Sequence, residues 1–255
     1  MINDIIKISH EAGEIIRNGF GKSFGIEYKT NASNLVTDID KASEKHIKDF
    51  IQKKYPGHSI LAEESGELKK DSEYLWVIDP IDGTTNFAHG LPIFSVSIGL
   101  QKNNHTIAGV VYDVMQDITY TAEKGSGSFS NSDKISVSAN NELSHCVLAT
   151  GFPYNIAENP ENAIEKFTAL TKASRGMRRL GSAAIDLCFV AKGVFDGFWE
   201  IYLHPWDICA GKLIVEEAGG LVTDFKGKAI DIYSHNILAT NGLIHKKMIG
   251  IIDKV

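Results

Sequence analysis

The stretch "DPIDGTTNF" at residues 79 to 87 puts two carboxylates, Asp79 and Asp82, close together between an apolar run and a Gly-Thr-Thr turn. Asp-Pro and Asp-Gly are ordinary turn dipeptides, so this stretch alone reads first as a turn. The preceding "YLWVID" reads as a buried strand that delivers Asp79 at its end. Pro80 then removes a backbone donor and fixes φ, and Gly83 leaves the chain free to turn, so both acids can face one point. Other acids sit in similar places. Glu63 and Glu64 end the apolar "SILAEES", on opposite faces if the chain stays extended. Asp207 in "HPWDICAG" opens a helical pattern, and Asp40 in "LVTDID" stands where a strand-like run meets a helix.

Taken singly, Asp40 and Asp207 read first as helix caps or first-turn acids, worth about 1 kcal/mol each. Glu63 and Glu64 could be a solvated strand end. Taken together they repel: two unit charges 4 Å apart cost about 4 kcal/mol at an effective dielectric of 20. A cation would offset that. The chain has no His or Cys cluster to match, and all-oxygen ligands suit Mg²⁺, Mn²⁺ or Ca²⁺ better than zinc. If "GTTNF" opens a helix or tight turn, its backbone N–H groups form an anion cradle beside the cation. Metal plus anion cradle implies phosphate, with paired metals activating water and clamping phosphoryl oxygens, and a threonine hydroxyl orienting the water.

The elements that must hold these residues fall into two stretches, 1–137 and 138–255. In the first, Ile5, Ile6, Ile8, Ala12, Ile15 and Ile16 mark one face of a helix ending near Gly19, and Ala42, His46, Ile47, Phe50 and Ile51 mark a second helix stopped by "YPG". "HSILAEE", "YLWVID", "FSVSIGLQ", "TIAGVVYD" and "DITYTAE" are strand-length runs separated by turn chemistry, which predicts a mostly antiparallel sheet covered by helices. From about residue 138 the strands "CVLATG", "VFDGFWEI", "GLVTDF" and "NILATN" alternate with the helical "NPENAIEKFTALTKAS", "SAAIDLCFVAKG" and "WDICAGKLIVEEAGG", and a terminal helix follows. That alternation predicts an α/β layer. Sites in such layers favour strand ends and crevices, where the acids fall.

The bulk properties bound the function. The chain has 255 residues, 43% of them hydrophobic, enough for a sizeable core, and a net charge of -6 that offers no global positive field to a nucleic acid polymer. No apolar run approaches the roughly 20 residues of a membrane helix, and the acidic start "MINDIIKISHEAGEII" is unlike a signal peptide, so a cytoplasmic location is expected. Cys146, Cys188 and Cys209 are odd in number and lack CxxC spacing, which fits small buried hydrophobes rather than disulfides or zinc.

"AEES", "WVIDPIDGTTNF" and "WDICAGKLIVEEAGG", in this order, resemble the inositol monophosphatase family of lithium-sensitive, magnesium-dependent phosphatases, and the resemblance spans essentially the whole chain. It implies a layered α-β-α-β-α sandwich of the fructose-1,6-bisphosphatase and inositol monophosphatase type, usually a homodimer, with two or three Mg²⁺ (or Mn²⁺) ions per active site and a small phosphorylated metabolite as substrate. By the same resemblance Glu63, Asp79 and the carbonyl of Ile81 would hold one metal, and Asp79, Asp82 and Asp207 a second. Thr84 and Asp40 would position the water near a weaker third metal held through Glu63. Gly83 and Thr84 would bind phosphate. Gly181, Ser182 and Ala183 in "GSAA" would line the inositol ring, and Glu200 would bond its hydroxyls. Lys29 matches a family lysine near the water and metal network. Cys209 stands where the family often has alanine; both are small, so Asp207 is not put in doubt.

The resemblance makes inositol 1-phosphate the first expectation for substrate, with histidinol phosphate, fructose 1,6-bisphosphate, nucleotide 3'-phosphates and NADP as alternatives that the metal motif cannot separate. A non-catalytic metal- or phosphate-binding protein on the same fold is the alternative of another class. "GKSFG" at 21 to 25 satisfies the G-x-S-x-G of serine hydrolases, yet it follows a helix where that motif needs a strand. "GSGSF" at 125 lacks the later glycine of a dinucleotide fingerprint and is expected to be a loop. Arg175, Arg178 and Arg179 in "RGMRRLGS" form a local basic cluster that would steer anions, contribute to a dimer surface or simply be solvated.

Overall fold

The computed structural model describes residues 1–23, 25–28 and 35–255. Helix α1 (Ile2–Gly19) buries Ile5, Ile8, Ala12 and Ile16 on one face, the stripe that three- and four-residue spacing makes on a helix. A short antiparallel hairpin, β1 (Ile26–Tyr28) with β2 (Leu35–Thr37), leads into α2 (Asp38–Lys54). Thr37 caps α2: its Oγ1 accepts from Asp40 N at 3.3 Å, and its own N–H donates to Asp40 Oδ2 at 2.9 Å. The buried face of α2 carries Asp40, Ser43, Glu44, Ile47 and Ile51, whereas Ala42 and His46 are exposed, contrary to the expected apolar stripe. The first turns of this helix face polar groups rather than the core; Ser43 Oγ donates to the carbonyl of Pro80 at 3.2 Å.

Next come β3 (Ser59–Ala62), β4 (Gly66–Leu68), β5 (Tyr74–Asp82), the short helix α3 (Thr84–Ala88), β6 (Ser95–Lys102), β7 (His105–Asp113), β8 (Ile118–Glu123), β9 (Gly127–Ser130) and β10 (Asp133–Ile135). They form one eight-stranded sheet, order β10-β9-β8-β7-β6-β5-β3-β4, antiparallel except for the β3/β5 pair. The expected loop at "GSGSF" is a turn followed by strand β9, which pairs with β8. The second stretch supplies β11 (Val147–Thr150), α4 (Ala163–Ala173), β12 (Gly176–Arg178), α5 (Ala183–Ala191), β13 (Gly197–Ile201), α6 (Pro205–Glu217), β14 (Leu221–Thr223), β15 (Asn236–Thr240) and α7 (His245–Ile252). Its five strands run in the order β12-β11-β13-β15-β14, parallel around β11 and antiparallel around β15.

Strand alternation stacks these elements into five layers. Val110 of β7 packs with Ile5, Ile8, Ile47 and Ile51 of α1 and α2, while its neighbour Val111 packs with Leu187, Ile208 and Ile214 of α5 and α6. In the second sheet Phe198 and Ile237 face α5 and α6, and Trp199 and Leu238 face Leu170 of α4 and Met248 of α7. The result is the α-β-α-β-α sandwich, with α5 and α6 between the sheets. Gly109 of β7 lets α6 lie directly on the first sheet: a Cβ there would stand 2.9 Å from Ala210 Cα. Cys146, Cys188 and Cys209 are buried and free, and among the described residues no helix is long and apolar enough to cross a membrane.

Candidate active site

Strand β5 continues through Pro80 to Asp82, its register against β6 shifting between Asp79 and Asp82, and Gly83, at φ 102°, turns the chain into α3. Only a residue without a side chain fits there: a Cβ would lie 3.0 Å from the carbonyl of Ile93 and 3.2 Å from that of Gly181. The turn therefore brings the end of β5 against the loop that starts α5. Asn86 of α3 fastens the same junction, donating to the carbonyls of Ile93 at 2.8 Å and Leu180 at 2.7 Å. Nothing in "GTTNF" marks that asparagine, because both of its partners are distant backbone atoms.

Asp79, Asp82 and Asp207 converge, each offering a carboxylate oxygen within 4.8 Å of the other two. Asp79 accepts one bond from Ile81 N at 3.0 Å; burial, and then the Glu63, Asp82 and Asp207 carboxylates around it, hold its carboxyl well above the usual range. Asp207 sits in the first turn of α6, where its Oδ2 accepts from His204 N at 2.6 Å. Burial and the nearby Asp82 push it up as well. Asp82 is the best-held of the three: Ser182 Oγ donates to it at 2.5 Å and Ala184 N at 2.8 Å, so the start of α5 grips it. Burial still raises it to about 6, against the lowering effect of those donors.

Thr84 Oγ1 lies 3.0 Å from both Asp40 Oδ1 and the carbonyl oxygen of Ile81, and its single proton serves one of them at a time. Asp40 is fully buried, accepts from Thr37 Oγ1 at 2.5 Å, and is raised to about 6 chiefly by burial. Glu63 lines the same cavity, but it lies in the turn after β3 rather than in an extended strand. Strand-face alternation therefore does not separate it from Glu64. A bond from Glu64 N to Glu44 Oε2 at 2.7 Å ties that residue to α2, and it borders a neighbouring groove with Lys41, Lys45 and Lys48 instead. Lys29 lies outside the described residues.

The cavity these acids open into has a volume of about 660 Å³. Gly83, Thr84, Gly181, Ser182, Ala183 and Glu200, the residues that the resemblance assigns to substrate, all line it. Glu200, on β13, is 8% exposed, and its carboxyl rises to about 8 through burial, against the lowering field of Arg179. Gly151, at the end of β11, makes room for it: a side chain there would collide with both carboxylate oxygens of Glu200. Sequence reasoning missed Gly151 and Asp186, and placed Arg179 only in a basic cluster; all three line the cavity. Asp186 reads in "SAAIDL" as an ordinary first-turn helix acid, so no local signal distinguishes it.

The donor set fits a hard divalent cation. It consists of crowded carboxylates and a carbonyl, without His or thiolate, and raised carboxyls of this kind need either a proton or a cation. The whole chain, residues 1–255, matches the inositol monophosphatase family. The chain belongs to that family. It is 42% identical over 252 residues to the Nus factor SuhB of Escherichia coli K12, covering 98% of this chain and 94% of the relative. It is 43% identical over 238 residues to the inositol-1-monophosphatase of Synechocystis, covering 93% and 83%. The crystal structure of the extragenic suppressor protein suhB from Bartonella henselae superposes with a TM-score of 0.94 at 39% identity, covering 99% of this chain and 98% of that one. As a member of the family the protein is a metal-dependent phosphomonoester hydrolase acting on small phosphorylated substrates.

Proposed function

We propose that the protein hydrolyses inositol 1-phosphate to inositol and phosphate with Mg²⁺ as its metal. The observation that carries this is the convergence of Asp79, Asp82 and Asp207 at a cavity that Glu200 also lines. Asp79, Asp82 and Asp207, with Glu63 and the carbonyl of Ile81, would hold the Mg²⁺ ions. Bound there, the metal would make water a better nucleophile and polarise the phosphoryl oxygens. Thr84, donating its hydroxyl proton to Asp40, keeps its oxygen lone pairs for a water proton and so orients the attacking water. Asp40, held by Thr37, stays in place to take up a proton as the water attacks. Backbone groups of Gly83 and Thr84 face the phosphate. Gly181, Ser182 and Ala183 border the ring, and Glu200 bonds ring hydroxyls. By its match to a family lysine Lys29 would serve the water and metal network, Glu64, which borders the neighbouring groove, is left out of it, and the working unit is a cytoplasmic homodimer.

The name of the Synechocystis relative favours inositol 1-phosphate over the other esters. The name of the Escherichia coli relative, a Nus factor, keeps a non-catalytic role as the second reading. Phosphate release from inositol 1-phosphate, histidinol phosphate, fructose 1,6-bisphosphate, adenosine 3',5'-bisphosphate and NADP, with Mg²⁺ and then with EDTA, separates them. Mg²⁺-dependent preference for inositol 1-phosphate supports the proposal, and preference for another ester moves the substrate but keeps the chemistry. No release from any of them would leave the binding role in possession of the site.

A further inference from the structure

The cavity is edged by aromatic residues that the chemistry above does not use. Tyr202 follows β13 directly, lines the cavity and is 42% exposed. Tyr154, on the connection after the neighbouring parallel strand β11, lines it too and is 51% exposed. Tyr202 also has a backbone that its side chain disfavours. Its φ is 59°, in the left-handed region, where the other non-glycine residues among those described are asparagines, one aspartate and Glu161. Short polar side chains visit that region readily, and a bulky ring does not. The conformation is held by a bond from Tyr202 N to the carbonyl of His235 at 2.5 Å and by an edge-on contact of the two rings, centroids 6.4 Å apart. A glycine would take the same backbone without strain. A ring left nearly half in solvent recovers little of that cost by burial, and strain of this kind collects at ligand sites.

Glu200 and Tyr202 are two residues apart, about 6.5 Å along an extended chain, and both line the cavity. With the phosphate at Asp79, Asp82 and Asp207 and the ring that bears it against Glu200, whatever is attached to that ring comes beside Tyr202. We propose that Tyr202 is a specificity-determining residue whose ring stacks on a second ring in the alcohol of the ester. This rests on the phosphatase reading above and extends it from one-ring polyol phosphates to two-ring phosphates, in which the sugar or polyol bearing the phosphate is joined to a nucleobase or to another sugar. Both kinds of second ring share one chemistry, a flat face that an aromatic side chain can cover. At about 660 Å³ the cavity has room for two rings.

The test is steady-state kinetics with Mg²⁺ on inositol 1-phosphate, adenosine 3'-monophosphate and trehalose 6-phosphate for the parent, Tyr202→Gly, Tyr202→Asn and Tyr202→Phe, with thermal unfolding of each protein. The quantity read is kcat/KM on each two-ring ester divided by kcat/KM on inositol 1-phosphate. Tyr202→Gly is expected to lower that ratio about tenfold, through KM, for at least one two-ring ester, the effect of losing one stacked ring. Its Tm should stay close to the parent's, because relief of the backbone offsets the freer unfolded chain. Tyr202→Asn, which tolerates the same φ, should lose the ratio too and covers the case in which the glycine variant fails to fold; Tyr202→Phe, which keeps the ring, should retain it. A loss confined to the nucleotide identifies the second ring as a base, and one confined to trehalose 6-phosphate identifies it as a sugar; either upholds the proposal. A ratio unchanged in both the glycine and asparagine variants overturns it. So does a ratio that rises, which would make Tyr202 a barrier at the mouth rather than a contact. Equal losses on all three esters with a fall in Tm also overturn it, marking a merely structural ring. A parent that hydrolyses inositol 1-phosphate but neither two-ring ester overturns this proposal and leaves the phosphatase. One that hydrolyses only two-ring esters overturns the substrate named above, and glycerol 2-phosphate then serves as the reference. A parent that hydrolyses none of them removes both.

Discussion

Two regions of the molecule bury acids and treat them oppositely. Just before β13, Asp196 is 3% exposed and saturated with donors: Ser138 Oγ at 2.5 Å, Asn140 Nδ2 at 2.8 Å and Val147 N at 2.8 Å. Asn241 closes the knot, donating to Ser138 Oγ at 2.9 Å and to the carbonyl of Asn140 at 2.8 Å. This carboxylate ties the segment entering β11 to the strand beside it and to the end of β15. In the cavity, Asp79 accepts a single backbone bond while facing three other acids, and Asp186 Oδ1 accepts nothing. A buried acid whose lone pairs are filled by the fold is a structural tie. One left short of donors and crowded by like charge is poised for something the chain does not itself contain.

Four measurements would sharpen or break that contrast. The largest effect is expected at Thr84→Ala, which should lower kcat about 100- to 10,000-fold with little change in KM, because orientation and proton uptake for the attacking water are lost. A fall of less than about tenfold would remove Thr84 from the chemistry. Asp196→Ala should cost stability instead: about 3 kcal/mol in urea unfolding, from several buried donors left without an acceptor, with kcat/KM of the folded protein nearly unchanged. Equal damage to activity would mean that the two regions are not independent.

Metal removal comes next, and its sign follows from the raised carboxyls. Asp40 and Asp82 near 6 and Glu200 near 8 hold protons in the folded chain that the unfolded chain has already released. The EDTA-treated protein should therefore lose stability as pH rises from about 4.5 towards 8. Mg²⁺ at about 100 times its Kd should return about 2.7 kcal/mol, or about 5–10 °C in Tm, at pH 8, and less at pH 5 where protons compete for the same oxygens. A metal-free protein that gains stability over that interval would contradict the buried, crowded state of these acids. The smallest effect is Gly151→Ala, whose methyl must displace the Glu200 carboxylate. It should reduce selectivity for inositol 1-phosphate over p-nitrophenyl phosphate about tenfold, the equivalent of one neutral hydrogen bond; an unchanged ratio would show that Glu200 reaches the alcohol from another position.

Much of the site was legible as residue types. "WVIDPIDGTTNF" carries its own geometry, since an apolar strand, a proline and a glycine determine where Asp79, Asp82 and Thr84 stand relative to one another. Asp40 and Asp207 were legible as helix-start acids, and the structure confirms both placements, but a helix cap and a site acid look identical in sequence. The apolar stripe of α2 was misjudged at Ala42 and His46, because that helix begins against polar groups of the site and only later against the core. Glu63 and Glu64 were assigned opposite strand faces, whereas a turn begins where the strand was expected to continue.

The sequence by itself determined which residues are capable of the chemistry, the order and type of most elements, and the period-two and helical patterns that fill the cores on both faces of each sheet. Those are local properties, set by spacing along the chain. Only the tertiary structure decided which acids share a point in space. Asp82 is gripped by Ser182 and Ala184, a hundred residues on, and Glu200 fits because Gly151 on another strand has no side chain. Whether a buried carboxyl is satisfied or left waiting depends on donors brought in by distant segments, which Asp196 has and Asp186 Oδ1 lacks.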